Sequence, residues 1–470
     1  MPSTPTPTPA GQSATPAGQS AAPGSGPAAL AAAADDAVRI CHDLLRIDTT
    51  NPGDGTGPGE RAAAEYVAAE LDAAGIAPTL LEAAPRRASV LTRIAGHDPS
   101  LPPLLVHGHL DAVPFDAADW THHPLSGELA DGCLWGRGAV DMKGTVSMVL
   151  ALARHWARSG VRPRRDIVLA FLADEESTGD LGSRFVVAEH REWFEGCAEA
   201  ISESGGFSIT ARPEAGPDTG RELRVYPVAV GERGTAWMRL TARGTAGHGS
   251  KQNPDNAVAT LVHGLSRLAS YRWPTSLTPP VAALVAGLER ELGVRIDRSR
   301  LEEEAARLGQ LGELFDCTVR DSANPTVLRA GGKVNVIPGQ AYAEVDGRFL
   351  PGHREEFLEV VDRLLGPGIT REFINCEDAV AADHEGPAFA AMADALRAED
   401  ERARPVPFVM SGGTDAKSFA RLGIRSYGFA PLLLDPSLHY YGMFHGVDER
   451  VPAAGLGFGV RVLDRFLRTY

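Results

Sequence analysis

The sequence predicts an α/β protein, a mixed sheet with helices on both faces, that carries a smaller α+β domain as an insertion. Three observations predict it. Between Ala28 and about Ser202 short apolar strands alternate with helical stretches, the pattern of a sheet covered on both sides by helices. Near Gly231 the texture changes: Thr235 to Ala242 alternates as a half-exposed strand does, and a different order of elements follows. At about Gly386 the first pattern resumes and runs to a final helix.

The elements follow in order. A helical pattern runs from Ala28 to about Ile47, and a second from Glu60 to Ala74, closed by Gly75. Apolar strands come at 78–83, 88–95 and Leu104-Leu105-Val106, then helix 143–158, strand 166–173, helix 180–190 and strand 199–202. The inserted part has its alternating strand at 235–242, helix 254–270, a charged helical stretch at 281–312, a strand between Val334 and Phe349, helix 354–365 and a short strand at 369–374. The last helix spans 452–468. The expected division is a tail at 1–27, a main domain at 28–230 and 381–470, and an inserted domain at 231–380. The tail holds only small, polar and Pro residues after its Met, with no charged side chain. It cannot bury enough apolar area to offset the entropy of ordering and is expected to be disordered.

At 470 residues the chain has room for two or three domains, and 43% hydrophobic against 23% charged residues is a globular balance. The net charge of −15, from 46 basic and 61 acidic residues, argues against nucleic acid or an anionic membrane surface as partner, since both need positive patches. No apolar run reaches the ~18–20 residues of a membrane span. Cys41, Cys133, Cys197, Cys317 and Cys376 are scattered without a CxxC pair, and residues 1–27 lack the basic start and Leu-rich segment of an export signal. Reduced thiols in the cytoplasm are expected.

Chemistry enters where apolar runs end. His109 closes Val106-His107-Gly108-His109, Asp141 lies in Gly138-Ala139-Val140-Asp141, and Asp174-Glu175-Glu176 follows a third run. Ligands in α/β sheets gather at the carboxyl ends of strands. Glu203, in Ser202-Glu203-Ser204, and His445, in Phe444-His445-Gly446, complete a set of nitrogen and oxygen donors. Five side chains, one of them bridging, give three protein ligands to each of two metals and leave room for water, as catalytic zinc sites do. Singly, each reads as an ordinary buried histidine or a solvated acid. His439 competes with His445 by position, while His107, His122 and His123 read as structural. Gly136-Arg137-Gly138 has the look of a phosphate loop but lacks the surrounding strand–GxGxxG–helix unit.

Taken together, the run from His107 to Pro114, the run from Gly136 to Gly144, the Asp174-Glu175-Glu176 triplet, the segment Gly244 to Ser250 and the late Ser411 to Ala416 closely resemble the di-zinc family of acetylornithine deacetylase, succinyl-diaminopimelate desuccinylase, aminoacylases, carboxypeptidase S and related dipeptidases. The resemblance covers roughly residues 36–470. It implies a zinc-exopeptidase-type sheet with an inserted dimerisation and lid domain. It also implies two zinc ions, with cobalt or manganese as alternatives. By this resemblance His109 binds one metal, Asp111 orients that histidine, Asp141 bridges, Glu203 completes the first set, and Glu176 and His445 hold the second metal. Glu175 is the implied general base and His248 the histidine that reaches into the active site of a second subunit, which makes a homodimer the expected assembly. A cis peptide is implied at Asp141–Met142.

The resemblance further implies a substrate with a free carboxylate beside the scissile amide. Arg348, the backbone of Gly412-Gly413-Thr414, and Asn335 are the candidates to hold it. The expected activity is that of a dipeptidase or carboxypeptidase on small peptides, working through a hydroxide between the metals. N-acyl amino acid deacylation is the alternative. A silent binding protein is a third reading, but it would have lost Glu175 or a ligand, and none is missing. Two departures bear on substrate. The stretch Asp383 to Phe389 has no arginine where some family members carry one, which weakens a glutamate-type or diaminopimelate-type substrate; the long segment 275–330 resembles the carboxypeptidase S branch.

Overall fold

A computed structural model describes residues 27–212, 219–316 and 318–470. The expected disordered tail, apart from Pro27, lies outside them, as does Cys317; Cys41, Cys133, Cys197 and Cys376 are free thiols. Among the described residues no helix is long and apolar enough to cross a membrane.

The main sheet is mixed and ten-stranded. Its middle is parallel: Leu104–His109 lies between Ile167–Leu172 and Glu199–Ser202, and Arg425–Gly428 continues beside Glu199–Ser202. Leu104–His109 and Ile167–Leu172 are buried at every residue, as strands covered on both faces must be. The covers include helices Pro27–Leu45, Lys143–Ser159 and Ala453–Thr469, which pack on one another. Lys143–Ser159 stops at Gly160, whose φ of 68° is the left-handed turn that ends a helix and suits a residue without a Cβ.

The smaller sheet has four antiparallel strands in the order Ser322–Ala330, Gln340–Phe349, Gly234–Arg243, Ile369–Glu377. Here burial alternates residue by residue along Gln340–Phe349, because one face alone is covered. Helices Ala257–Ser270 and Arg354–Leu365 cover it, and Met238, Leu240, Leu261 and Phe357 form a core separate from that of the main sheet. The Asn256 side chain accepts hydrogen bonds from the Val258 and Ala259 N–H groups and so starts the first of these helices.

One expectation is corrected by the packing. The charged helical stretch at 281–312 is three helices, Pro279–Leu292, Leu301–Leu308 and Gln310–Asp316, and it does not join the smaller core. Val281, Leu284, Leu288, Leu314 and Phe315 are part of the main core, against strand Ala403–Met410. The boundaries 231 and 380 therefore enclose a segment that returns to the larger unit. Its apolar face is buried there, and its charges lie on the outer face.

Candidate metal centre

The strands bring the expected donors together. His109 is the last residue of its strand, Glu203 follows Glu199–Ser202, and Glu175 and Glu176 follow Ile167–Leu172, so all four stand at the carboxyl ends of three neighbouring parallel strands. Asp141 precedes helix Lys143–Ser159, and His445 lies in the loop before strand Arg450–Pro452. They form two groups that share Asp141. His109, Asp141 and Glu203 make one; Asp141, Glu176 and His445 make the other; in each the donor atoms lie within 4.8 Å of one another. His109 Nε2 is 2.9 Å from Asp141 Oδ1, and His445 Nε2 is 3.2 Å from Asp141 Oδ2 and 3.1 Å from Glu176 Oε2. His439 points elsewhere, to Glu313 at 2.9 Å. The Asp141–Met142 peptide is cis.

Asp111 does more than face a histidine. His109 Nδ1 is 3.0 Å from the Asp111 backbone oxygen and 3.5 Å from its carboxylate. The carboxylate itself accepts from the Glu175 and Glu176 N–H groups, each at 3.1 Å, and from Asn51 Nδ2 at 2.9 Å. One residue thus fixes a histidine with its carbonyl and the next strand's turn with its side chain.

The charges are those of a cation site. Burial and the neighbouring Asp141 push the Glu203 carboxyl well above the usual range, and the same two causes push Glu176 up to about 7. Burial and the charge of Glu203 raise Glu175 well above its ordinary value. Burial alone would lower His109, but the carboxylates of Glu203, Asp111 and Asp141 outweigh it and hold the imidazole well above its ordinary value. Hydrogen bonds with Asp141 and Glu176 raise His445 to about 10. Burial works against the Asp141 carboxylate, yet hydrogen bonds from His109 and His445 keep it far below its usual range. Glu176 Oε1 is buried without a hydrogen-bond partner. Carboxylates outnumbering imidazoles, with an orphaned buried oxygen among them, fit two divalent cations with nitrogen and oxygen ligands.

These groups open into a cavity of about 440 Å³. Its floor is the end of the main sheet; its roof is the uncovered face of the smaller sheet, with Thr235, Trp237, Arg348 and Asn375. The pairing of Thr235 with Arg348 across two strands puts their side chains on that one face. Arg348 forks onto Asp346 (2.7 and 3.1 Å) and donates to Thr235 Oγ1 at 3.2 Å. Gly412, Gly413 and Thr414 also line the cavity, but the Thr414 N–H and hydroxyl both donate to Glu232, which leaves the glycines as the open backbone donors of that turn. Neither His248 nor Asn335 lines it. Both are exposed, side by side where Gly247–His248 pairs with Val336–Ile337, and the Gly249 N–H donates to the Asn335 carbonyl at 2.9 Å.

A match to peptidase family M20/M25/M40 extends over residues 105–469, which holds His109, Asp141, Glu176, Glu203 and His445. The chain belongs to this family. A probable carboxypeptidase S-like 2 of Dictyostelium discoideum is 28% identical, covering 76% of this chain and 69% of its own. Aminoacylase-1 of Sus scrofa is 26% identical over 92% of this chain and 94% of its own. Among solved structures, an M20 family metallo-carboxypeptidase from Sulfolobus solfataricus has the same fold, with a TM-score of 0.68 at 17% identity over 92% of this chain and 99% of that one. The chain is thus a metallopeptidase-family hydrolase on an M20 fold.

Several residues of the site are not apparent from the sequence. Asn51, in an Asn-Pro-Gly stretch between the first two helices, bridges the Asp111 and Asp174 carboxylates at 2.9 and 3.1 Å. Lys417 is buried with its ammonium 2.9 Å from Thr235 Oγ1; only its place just after Ser411 to Ala416 hinted at it. Arg137, set aside with the glycines that flank it, is buried and paired with Glu449 at 2.8 Å. His107 keeps the structural part expected of it. It is buried against Phe419, and burial takes its pKa down to about 3.

Proposed function

We propose that the chain hydrolyses an amide bond beside a free carboxylate, as a dipeptidase or carboxypeptidase acting on small peptides. The observation that carries the reading is the pair of three-donor groups sharing Asp141, with Glu175 on the wall of the same cavity. Zinc suits these nitrogen and oxygen donors, with cobalt or manganese as substitutes. Bound in these groups, the two ions supply a water of lowered pKa and a Lewis acid for the amide oxygen.

The chain's own residues supply the rest. Glu175 takes the proton of the attacking water and returns it to the leaving amine. Its raised proton affinity, from burial and from Glu203, suits a group that must hold that proton between the two transfers. Three of the five Arg348 N–H donors are engaged, and the others are available to a substrate carboxylate together with the Gly412 and Gly413 backbone. Since His248 stands outside the cavity of its own chain, its role in stabilising the oxyanion requires a second copy, and we take the working form to be a homodimer. The four free thiols accord with a cytoplasmic setting.

Zinc-loaded protein assayed on a panel of dipeptides and a panel of N-acyl amino acids tests the reading. Dipeptides are expected to turn over faster. Turnover confined to the N-acyl panel would establish the second reading, deacylation, which the likeness to aminoacylase-1 along nearly the whole chain favours. Glu175→Gln should lower kcat about 10²- to 10⁴-fold while both metals stay bound. Mixing Glu175→Gln with His248→Ala subunits should restore about a quarter of wild-type activity if the histidine acts across subunits. No recovery on mixing would remove the dimer from the mechanism.

A further inference from the structure

The Glu449 carboxylate accepts four hydrogen bonds beside the site, yet it does not line the cavity. It is fully buried. One oxygen accepts from the Val140 N–H at 2.6 Å and the Asp141 N–H at 3.0 Å. The other accepts from the Gly138 N–H at 3.0 Å and from the Arg137 guanidinium at 2.8 Å. Its backbone carbonyl takes the Gly136 N–H at 3.0 Å. The two remaining N–H groups of this stretch go to carbonyls, Arg137 to Pro124 and Ala139 to Gly136. The whole turn that presents Asp141 is therefore tied off, mostly by one residue some 310 positions away.

The second arm of the same unit reaches His445. The Arg137 guanidinium, held on Glu449 and stacked over the Trp120 ring at 5.0 Å, donates to the His445 backbone carbonyl at 3.4 Å. The pairing of Arg450–Pro452 with Cys133–Trp135 sets the register: Arg450 faces Trp135, so Glu449 falls beside Gly136. A buried carboxylate is tolerated only when opposite charge and N–H donors replace its water, and here one guanidinium and three amides do so. Such an arrangement is costly unless geometry is what it secures.

We propose that Glu449 and Arg137 are the positioning residues of the second cation site: they hold Asp141 and His445, two ligands some 300 positions apart, at the spacing one metal ion requires. The inference rests on the two-cation reading above. It goes further in assigning the ligand spacing to a buried ion pair that touches neither metal nor substrate. Asp141 enters both donor groups but His445 enters only one, so loosening the unit acts unequally on the two cations. His109 and Glu203 keep their strand-end positions without it.

Stepwise Co²⁺ titration of the metal-free full-length protein, followed by calorimetry and by the visible absorption of bound cobalt, tests this. Glu449→Gln places an NH2 group among N–H donors and leaves Arg137 without its counter-charge. The weaker of the two binding steps should lose about tenfold to a hundredfold in affinity, the range found when groups that orient metal ligands are removed, and the tighter step should change less. Arg137→Lys retains the charge but not the fork, and should give a smaller loss at the same step. It also carries the test if Glu449→Gln does not fold, which circular dichroism of the metal-free protein shows. Both steps within twofold of wild type, or equal losses at both, would overturn the proposal. A wild-type protein that takes up no more than one Co²⁺ would instead overturn the two-cation reading on which it rests.

Discussion

The two donor groups are built from different material. His109 and Glu203 sit at the ends of adjacent buried strands, and the His109 side chain is 1% exposed. His445 stands on a loop, with its side chain 56% exposed and its backbone at a φ of +59°. In the first group two ligands are set by strand ends; in the second, His445 must be kept in place by its neighbours. The lesson is that a site with matched ligands need not have matched affinities. Ordering entropy has already been met by the sheet for one cation and must be met on binding for part of the other.

The largest effect that can break this comparison comes from the shared ligand. Asp141→Ala should empty both groups and lower activity by on the order of 10³-fold or more, because several kcal/mol of charge stabilisation goes with the ions. Metal content after dialysis and kcat measured together check it; one tightly held ion in that variant would show that the groups are independent. Next comes the contrast between the two histidines. His445→Ala should retain about one equivalent of zinc through equilibrium dialysis, whereas His109→Ala should retain the looser ion or none. Equal retention in the two variants would erase the distinction between strand and loop. A limiting amount of chelator sharpens it further: wild-type protein should release one zinc fast and the other slowly.

The smallest effect concerns the floor of the cavity. Asp415 has a buried Oδ2 without a partner, and burial raises its carboxyl to about 7. Between its ordinary value of 3.8 and about 7 the folded chain therefore holds a proton that the unfolded chain has released. Stability from this group is complete below that window and declines as pH rises through it. Metal-free Asp415→Asn should show a flatter fall in urea midpoint from pH 5 to pH 7.5 than wild type, an effect of a few tenths of a molar at most.

What could be read in advance follows from how each residue acts. His109, Glu176 and Glu203 lie where a short apolar run meets a donor, and a strand's end is visible in one dimension. So is the alternation that separates the smaller sheet from the larger. Glu449 is different: it acts through the backbone N–H groups of Gly138, Val140 and Asp141, and an amide leaves no mark on the residue types around it. Asn51 works across shorter gaps, from an Asn-Pro-Gly stretch to carboxylates 60 and 123 positions on. Helices 279–292 and 310–316 show amphipathic patterns, but a pattern says that a face is buried without saying against which sheet. Three-dimensional neighbours decide that, and those of strand Ala403–Met410 come from another part of the chain.

The order in which the donors leave the ribosome has its own consequence. His109, Asp141, Glu176 and Glu203 are made within one stretch of the chain, and His445 and Glu449 follow more than 240 residues after the last of them. Synthesis therefore supplies the second group's His445 well after the ligands of the first, and the turn that carries the shared Asp141 stays untied until Glu449 arrives.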